Sequence, residues 1–242
     1  MKRSERARGS SAATPANPRS TSASSGTRAR RVITPSGRRL RGKFPSQKLG
    51  RMVHWESLLE RDAILHFEYH PWVVSYQEQP SIESFYDSSG VSRKYFPDFK
   101  VDFEDGGELI VEVKPSRKLH TVDASLKYGA IAHRFEEQGR PFRILTETAL
   151  RREPLFSNLK RLHEHRRKKC EDGSDFQSNE ALIAEGGITT FGKLMRRMGS
   201  ESHVLHLLSS GVLRADLEAE LCETSVIASS ETEGGPDGAF RI

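Results

Sequence analysis

The sequence predicts an α/β fold in which helices flank a mixed β-sheet, and three observations carry this prediction. Periodic apolar segments follow the order helix, three or four strands, helix, strand, which is typical of such a sandwich. The run at 109–114 is rich in β-branched residues and follows an acidic, glycine-containing turn at 104–107, which predicts a buried strand. The 242 residues, 35% of them hydrophobic, suffice for one mid-sized domain and a small second one.

Composition divides the chain into four parts. Residues 1–44 are predicted to be a disordered basic tail, because the start of the chain is mostly Ser, Ala, Thr, Pro, Gly and Arg and contains almost nothing to bury. Residues 45–150 are predicted to form the α/β domain. Residues 151–180 are expected to be a basic helix and linker, and residues 181–230 a small helical domain.

The α/β domain is expected to open with a basic, partly ordered lead-in at 31–51 and a helix at 54–69. Leu59, Ala63 and Phe67 recur every four residues and form the apolar stripe of this helix, which His70-Pro71 ends. The segments that follow are predicted as four strands, a second helix and a last strand, at 73–79, 82–86, 93–103, 108–114, 123–137 and 142–145.

The C-terminal third is expected to be helical. A basic helix is predicted at 153–169 and a polar linker at 171–179. Thr190 is expected to cap a short helix at 191–198. The remaining pattern predicts an apolar run at 203–208, a break at Gly211 and a last helix at 215–221.

The net charge of +5 hides an asymmetry along the chain. The first 50 residues contain thirteen Lys and Arg and one acid, a balance of +12, while the rest of the chain carries −7. Basic tails commonly bind polyanions, so DNA contact is predicted, with a merely solubilising tail as the alternative. The residues expected to contact DNA are Arg38, Arg39, Arg41 and Lys43, with Lys118 further along the chain.

Several classes of protein are not supported by the composition. No apolar run has the length of a membrane span, and the start of the chain lacks the apolar segment of a secretory signal. Its Arg/Ser-rich start loosely resembles an organelle transit peptide, although a basic tail is the favoured interpretation. Cys170 and Cys222 are far apart, so neither a disulfide framework nor a zinc site is expected, and a reducing cytoplasm fits.

Charged residues interrupt the buried strand at 108–114. Side chains alternate along a strand, so Ile110, Glu112 and Lys114 are expected to share one face. Idle burial of two charges would be costly. Asp98 follows Pro97 in the preceding strand, and neighbouring strands lie about 5 Å apart, so Asp98 and Glu112 can bridge one ion.

The first helix adds Glu56 and Glu60, which lie one turn apart on one face. Carboxylates without a cysteine or histidine cluster form a hard-oxygen site that suits Mg²⁺ or Mn²⁺ better than zinc. Purely structural roles are the alternatives for these charged residues. Glu112 and Lys114 can form a structural ion pair, Asp98 can cap a turn, and Glu56 can be a surface residue at the helix start.

Together these motifs resemble the PD-(D/E)XK nuclease superfamily and, within it, the N-terminal domain of the TnsA family, over about residues 45–146. The motifs that carry the resemblance are Glu56-Ser57-Leu58-Leu59-Glu60, Gln77-Glu78-Gln79-Pro80, Pro97-Asp98 and Glu112-Val113-Lys114. The resemblance implies a restriction-endonuclease-like fold and a metal-dependent DNA endonuclease. The helix carboxylate of the family falls on Glu60, its strand aspartate on Asp98 and its lysine on Lys114. The position two before the lysine can be Gln in the family, and here it is Glu112.

The resemblance also implies partners. A TnsA-like subunit cuts the 5′ ends of a transposon in double-stranded DNA, while a TnsB-like transposase cuts and joins the 3′ ends, with a TnsC-like ATPase as a possible regulator. Residues 181–228 match the winged-helix-like C-terminal domain of the family only by length, position and helical character. A bacterial cytoplasm with nucleoid association is expected. The alternatives are a stand-alone phage- or restriction-type nuclease and a non-catalytic DNA-binding or recruiting subunit.

Overall fold

The structure is a computed structural model that describes residues 40–87, 89–166, 187–232 and 242. The predicted tail and the linker at 171–179 therefore lie largely or wholly outside the described residues. The strands are β1 (Gly42–Ser46), β2 (Arg51–Trp55), β3 (Val73–Glu78), β4 (Glu83–Tyr86), β5 (Ser92–Tyr95), β6 (Phe99–Phe103), β7 (Glu108–Val113), β8 (Phe142–Leu145), β9 (Ile188–Thr190), β10 (Leu213–Ala215) and β11 (Val226–Ser229).

The helices are α1 (Leu58–Tyr69), α2 (Val122–Glu137), α3 (Glu147–Leu150), α4 (Leu155–His165), α5 (Phe191–Met198) and α6 (Glu201–Ser209). Capping residues begin three of them: Ser57 accepts a hydrogen bond from the Glu60 amide, Thr121 from Ala124 and Thr190 from Lys193. None of the helices in the described part of the chain is long and apolar enough to cross a membrane.

The central sheet has the strand order β3-β6-β7-β8. Strands β3, β6 and β7 pair antiparallel, whereas β8 pairs parallel to β7 after the α2 crossover. The mixed sheet predicted from the sequence is therefore confirmed. The parallel pair requires a long connection, and α2 provides it.

Both faces of the central sheet are covered, and β7 shows this most clearly. Leu109, Val111 and Val113 belong to the core that includes α1. On the other face, Ile110 packs in a second cluster with residues of α2, including Phe135. The period-2 alternation expected for this strand is present, and it directs Glu112 towards the α2 side.

The predicted helix at 54–69 is four residues too long at its start. Residues 51–55 instead form β2, which pairs antiparallel with β1, and α1 begins only at Leu58. The described part of the lead-in predicted at 31–51 therefore contains β1 and the turn that leads to β2. Pro45 interrupts the apolar alternation of β1 and made this strand hard to recognise, although an edge strand tolerates proline.

The single strand predicted at 93–103 is two strands. Residues 92–95 form β5, which pairs with β4 in a separate hairpin, and residues 99–103 form β6 of the central sheet. Pro97 cannot donate a hydrogen bond to a sheet ladder, so the chain breaks there. Asp98 consequently lies immediately before β6 and not within a strand.

The C-terminal unit combines helices with strands, so the predicted small helical domain is confirmed only in part. Strands β9, β10 and β11 form an antiparallel sheet beside α5 and α6, and residues 213–215 are a strand where the sequence suggested a helix resuming at 215. The two helices α5 and α6 are the part of the helical, winged-helix-like prediction that the structure supports. The Asn158 side chain donates to the carbonyls of Leu217 and Ala219, which fixes this unit on α4.

Candidate functional site

A cleft of about 1030 Å³ opens between the start of α1, the end of β3, the β6–β7 pair and α2. Glu60, Asp98, Glu112 and Lys114 all line it, although they come from separate parts of the chain. The β3–β6–β7 ladder and the packing of α1 and α2 on opposite faces bring these residues to one place.

Asp98 is held from both sides by backbone amides. The amide of Val113 donates to Asp98 Oδ2 at 2.8 Å, and the amide of Gln79 donates to the Asp98 carbonyl at 2.9 Å. These bonds join the residue just before β6 to β7 and β3. The carboxylate is therefore fixed by main-chain contacts, which preorganises it.

Lys114 links the two strand acids. Its ammonium lies 2.7 Å from Glu112 Oε1 and 3.3 Å from Asp98 Oδ2. Since one nitrogen contacts both oxygens, these oxygens are separated by no more than the sum of the two distances, about 6 Å. The spacing is compatible with two carboxylates that share one cation.

Glu112 is 3% exposed and accepts two further hydrogen bonds. Tyr95 donates to Oε2 at 2.6 Å, and Tyr128 on α2 donates to Oε1 at 3.0 Å. Neither phenol was predicted from the sequence as part of the site. The sequence offered only a general reason to predict them. A buried carboxylate requires hydrogen-bond donors, and both tyrosines lie within about twenty residues of Glu112 in the chain.

Burial and the charges of neighbouring groups shift the pKa values of Asp98 and Lys114. Burial and, next, the charge of the neighbouring Glu112 raise the pKa of Asp98 to about 7, although the Lys114 ammonium opposes this rise. Burial lowers the pKa of Lys114, but the charges of Asp98 and Glu112 outweigh burial and raise it above its usual range. Lys114 is therefore a protonated cation at neutral pH.

Glu60 serves first as a helix cap. Its Oε2 accepts from the Glu56 amide at 2.7 Å, its Oε1 accepts from the Ser57 hydroxyl at 3.0 Å, and its own amide donates to that hydroxyl. This arrangement resembles a capping box and stabilises the start of α1. Burial raises the pKa of Glu60, while the Glu56 amide and Ser57 oppose the rise.

The residues fit a divalent metal in part. Asp98 and Glu112 supply hard oxygens, and they already stabilise one positive charge, the Lys114 ammonium, between them. Among the described residues, however, no group of three or more His, Cys, Asp or Glu side chains is arranged to hold a metal ion. The assignment of Glu60 as a third ligand therefore stays a prediction.

The predicted DNA-binding residues are distributed unevenly around the cleft. Lys118 is exposed and lines it, and Arg41 follows Leu40, which also lines it. Lys43 is exposed on β1 and does not line the cleft. Arg38 and Arg39 lie outside the described residues. Lys127, for which phosphate contact and plain solvation were equally favoured from the sequence, and Lys94, which was not predicted as a DNA contact, are exposed and line the cleft.

Part of the chain is similar to a known protein family. Residues 70–147 match the family model described as TnsA-like endonuclease N terminal. No curated protein matches the chain. The matched segment includes Asp98, Glu112 and Lys114 and begins just after α1, so Glu60 lies outside it. The family resemblance predicted from the sequence is confirmed over this segment.

Proposed function

We propose that this chain is a metal-dependent DNA endonuclease that acts as the TnsA-like subunit of a heteromeric transposase. In this role it hydrolyses phosphodiesters at the 5′ ends of a transposon. The observation that carries the proposal is the convergence of Asp98, Glu112 and Lys114 in one cleft, within the segment that matches TnsA-like endonucleases.

In the proposed reaction, Asp98 and Glu112 hold Mg²⁺ or Mn²⁺, and Glu60 tunes or completes the site. The bound cation would supply Lewis-acid activation of the phosphodiester and a lowered pKa for a water molecule. Lys114 orients the attacking water and stabilises charge that develops on the phosphate. We assign it the role of a cation, because its ammonium contacts both carboxylates. The products are a 5′-phosphate and a 3′-hydroxyl.

The exposed lysines on the rim of the cleft favour a polyanionic substrate. Lys94, Lys118 and Lys127 are exposed along it, and none has a carboxylate partner among the described residues. Lys127 lies 5.1 Å above the ring of Tyr128. Phosphates of a DNA strand can contact ammonium groups at such a rim while the scissile phosphate reaches the acidic floor. The basic segment before Leu40 is proposed to add further phosphate contacts.

The partners follow from the proposed role. A TnsB-like transposase would cut and join the 3′ ends, and a TnsC-like ATPase would regulate the assembly. We place the contact with these proteins on the C-terminal unit. The unit is anchored by Asn158 and by Arg161, which donates to the Leu221 carbonyl and pairs with Glu201. A partner bound there would be held rigidly relative to the cleft.

The decisive experiment is strand-resolved mapping of cuts on a DNA substrate that contains element ends, with Mg²⁺, with and without a candidate transposase. We expect cuts at the 5′ ends that require the transposase and disappear in Lys114→Ala. Robust cleavage by the purified chain alone would assign a stand-alone nuclease. Unchanged cutting by Lys114→Ala would remove the catalytic assignment, and DNA binding without any cutting would leave a recruiting subunit.

A further inference from the structure

Gln79, which follows the last residue of β3, has an unfavourable backbone conformation. Its φ is +46°, and it is the one non-glycine residue of the described chain with a positive φ. Residues with a Cβ seldom adopt this region. The following residue is Pro80, which further restricts the backbone of the residue before it. A glycine would occupy this position with less strain.

The side chain of Gln79 adds a second cost. Its Nε2 donates to Glu56 Oε1 at 3.2 Å, whereas its Oε1 is buried and accepts no hydrogen bond in the described structure. The contact with Glu56 determines how the amide is oriented, because the reverse orientation would place a carbonyl oxygen against a carboxylate. Gln79 thus combines backbone strain with an unsatisfied buried acceptor.

The backbone strain and the unsatisfied oxygen of Gln79 occur where the end of β3, the residue before β6 and the start of α1 meet. The Gln79 amide donates to the Asp98 carbonyl at 2.9 Å, and its side chain reaches Glu56, just before α1. The Glu56 amide in turn donates to Glu60. A continuous series of contacts therefore connects Asp98 on the strand side of the cleft with Glu60 on the helix side.

We propose that Gln79 is a positioning residue that acts through Glu56 and sets the helix side of the cleft against Asp98. Strained residues persist at functional sites when the geometry that they impose is needed there. This inference rests on the proposed nuclease function and deepens it. Gln79 touches neither the substrate nor the reacting atoms in this role.

The sharpest test is Gln79→Gly in the full chain. Glycine keeps the backbone amide that bonds Asp98, relieves the strain and removes both the contact with Glu56 and the unsatisfied oxygen. We expect the thermal midpoint to rise or stay unchanged. We expect kcat for DNA cleavage to fall about tenfold with KM within about twofold, because misplacement affects the reacting geometry more than substrate binding. Mn²⁺ affinity, measured by titration without DNA, should also fall.

A double-mutant cycle tests whether Gln79 acts through Glu56. Gln79→Gly combined with Glu56→Ala should lose no more activity than the more damaging single variant, whereas additive losses would overturn the proposal. Gln77→Ala is the matched control, since Gln77 lies on β3 but does not line the cleft. It should leave cleavage and Mn²⁺ affinity unchanged.

The possible outcomes separate this inference from the proposed function. Wild-type cleavage and Mn²⁺ affinity in Gln79→Gly would overturn the positioning role, while loss of cleavage in Lys114→Ala would still support the nuclease. A parallel fall of stability and activity in Gln79→Gly would show a merely structural residue. If the wild-type chain binds Mn²⁺ but never cuts DNA, the nuclease proposal fails and Mn²⁺ affinity alone decides the positioning role. If it binds no Mn²⁺ and cuts nothing, both fail.

Discussion

Two buried clusters in this molecule combine a glutamate, a lysine and tyrosine, and they differ in how their charges are balanced. In the first, Glu68 accepts from the Tyr76 hydroxyl at 2.6 Å, the Ser46 hydroxyl at 2.7 Å and two backbone amides, those of Gln47 and Lys48. In the second, Glu112 shares the Lys114 ammonium with another carboxylate, Asp98.

The two lysines show the difference. Lys48 donates to the carbonyls of Phe67 and His70 at the end of α1, so it caps a helix. Burial lowers its pKa to about 8, and the charge of Glu68 only partly opposes this. The pKa of Lys114 moves in the opposite direction because two carboxylates face it.

The comparison shows that neither a shifted pKa nor an adjoining cavity identifies a catalytic site. The Glu68 cluster also borders a cavity, of about 600 Å³. The charge of its single acid, Glu68, is balanced by one lysine, and both carboxylate oxygens accept hydrogen bonds. A cluster that only stabilises the fold requires this balance. The Glu112 cluster has more negative than positive charge and opens to a cleft with a basic rim, so it can attract a cation and a polyanion.

The largest expected effect is the loss of DNA cleavage in Lys114→Ala, and Lys48→Ala is the variant with which it is compared. Lys114→Ala should reduce DNA cleavage by roughly 10²–10³-fold or more, the scale for loss of a group that stabilises transition-state charge. Its DNA affinity should change little, and its melting temperature should fall because Glu112 and Asp98 lose the cation between them, so cleavage is expressed per folded molecule. Cleavage rates with Mg²⁺, together with thermal melts, measure both properties. Lys48→Ala should melt earlier but keep its cleavage rate per folded molecule, and loss of cleavage there would contradict the comparison.

Removal of the structural acid should mainly affect stability. Glu68→Ala leaves the Tyr76 and Ser46 hydroxyls and two amides without their acceptor, so we expect unfolding to become easier by about 2–4 kcal/mol. Chemical denaturation measures this change. Glu112→Gln should be less destabilising and should nevertheless abolish cutting. An equal stability loss in both variants would remove the distinction between the clusters.

The third prediction compares how the stability of wild type and of Asp98→Asn depends on pH. The folded pKa of Asp98 is raised to about 7 from its usual 3.8, so the folded state holds a proton that the unfolded chain releases. This group therefore lowers stability as pH rises from about 4 to 7. Without metal, Asp98→Asn should be more stable than wild type at pH 8, by on the order of 2 kcal/mol. The difference should vanish near pH 4.

Metal addition supplies the control for that measurement. Mn²⁺ should raise the melting temperature of the wild-type chain at pH 8, because a ligand that binds only the folded state stabilises it. Asp98→Asn should show little or no response. An equal response in both proteins would mean that the cation binds elsewhere.

The smallest expected effect concerns the phenols that hold Glu112. Tyr128→Phe removes one hydroxyl, so cleavage should slow by about three- to tenfold, equivalent to about 1 kcal/mol. Tyr69→Phe is a matched control, because the Tyr69 hydroxyl contacts His163 and lies away from the cleft. Equal activity in the two variants would show that Lys114 and Tyr95 are sufficient to position Glu112.

Sequence patterns predicted the central sheet because its strands are locally regular. The alternation along β7 was sufficient to place Glu112 and Lys114 on one face, and Pro97 marked the position of Asp98. The β1–β2 hairpin and the C-terminal sheet were missed because most of their short strands show no alternation of apolar and polar residues, and Pro45 interrupts β1. Such short strands carry little periodicity and depend on pairing with distant partners.

By itself, the sequence determined which side chains can perform the proposed chemistry and that Glu112 and Lys114 share one face, since local alternation decides which way neighbouring strand residues point. Only the tertiary structure decided their partners. Tyr128 meets Glu112 because α2 packs across the sheet, and Gln79 meets both Asp98 and Glu56 because β3 ends between them. Contacts between residues far apart in the chain arise from packing, and no local pattern encodes them.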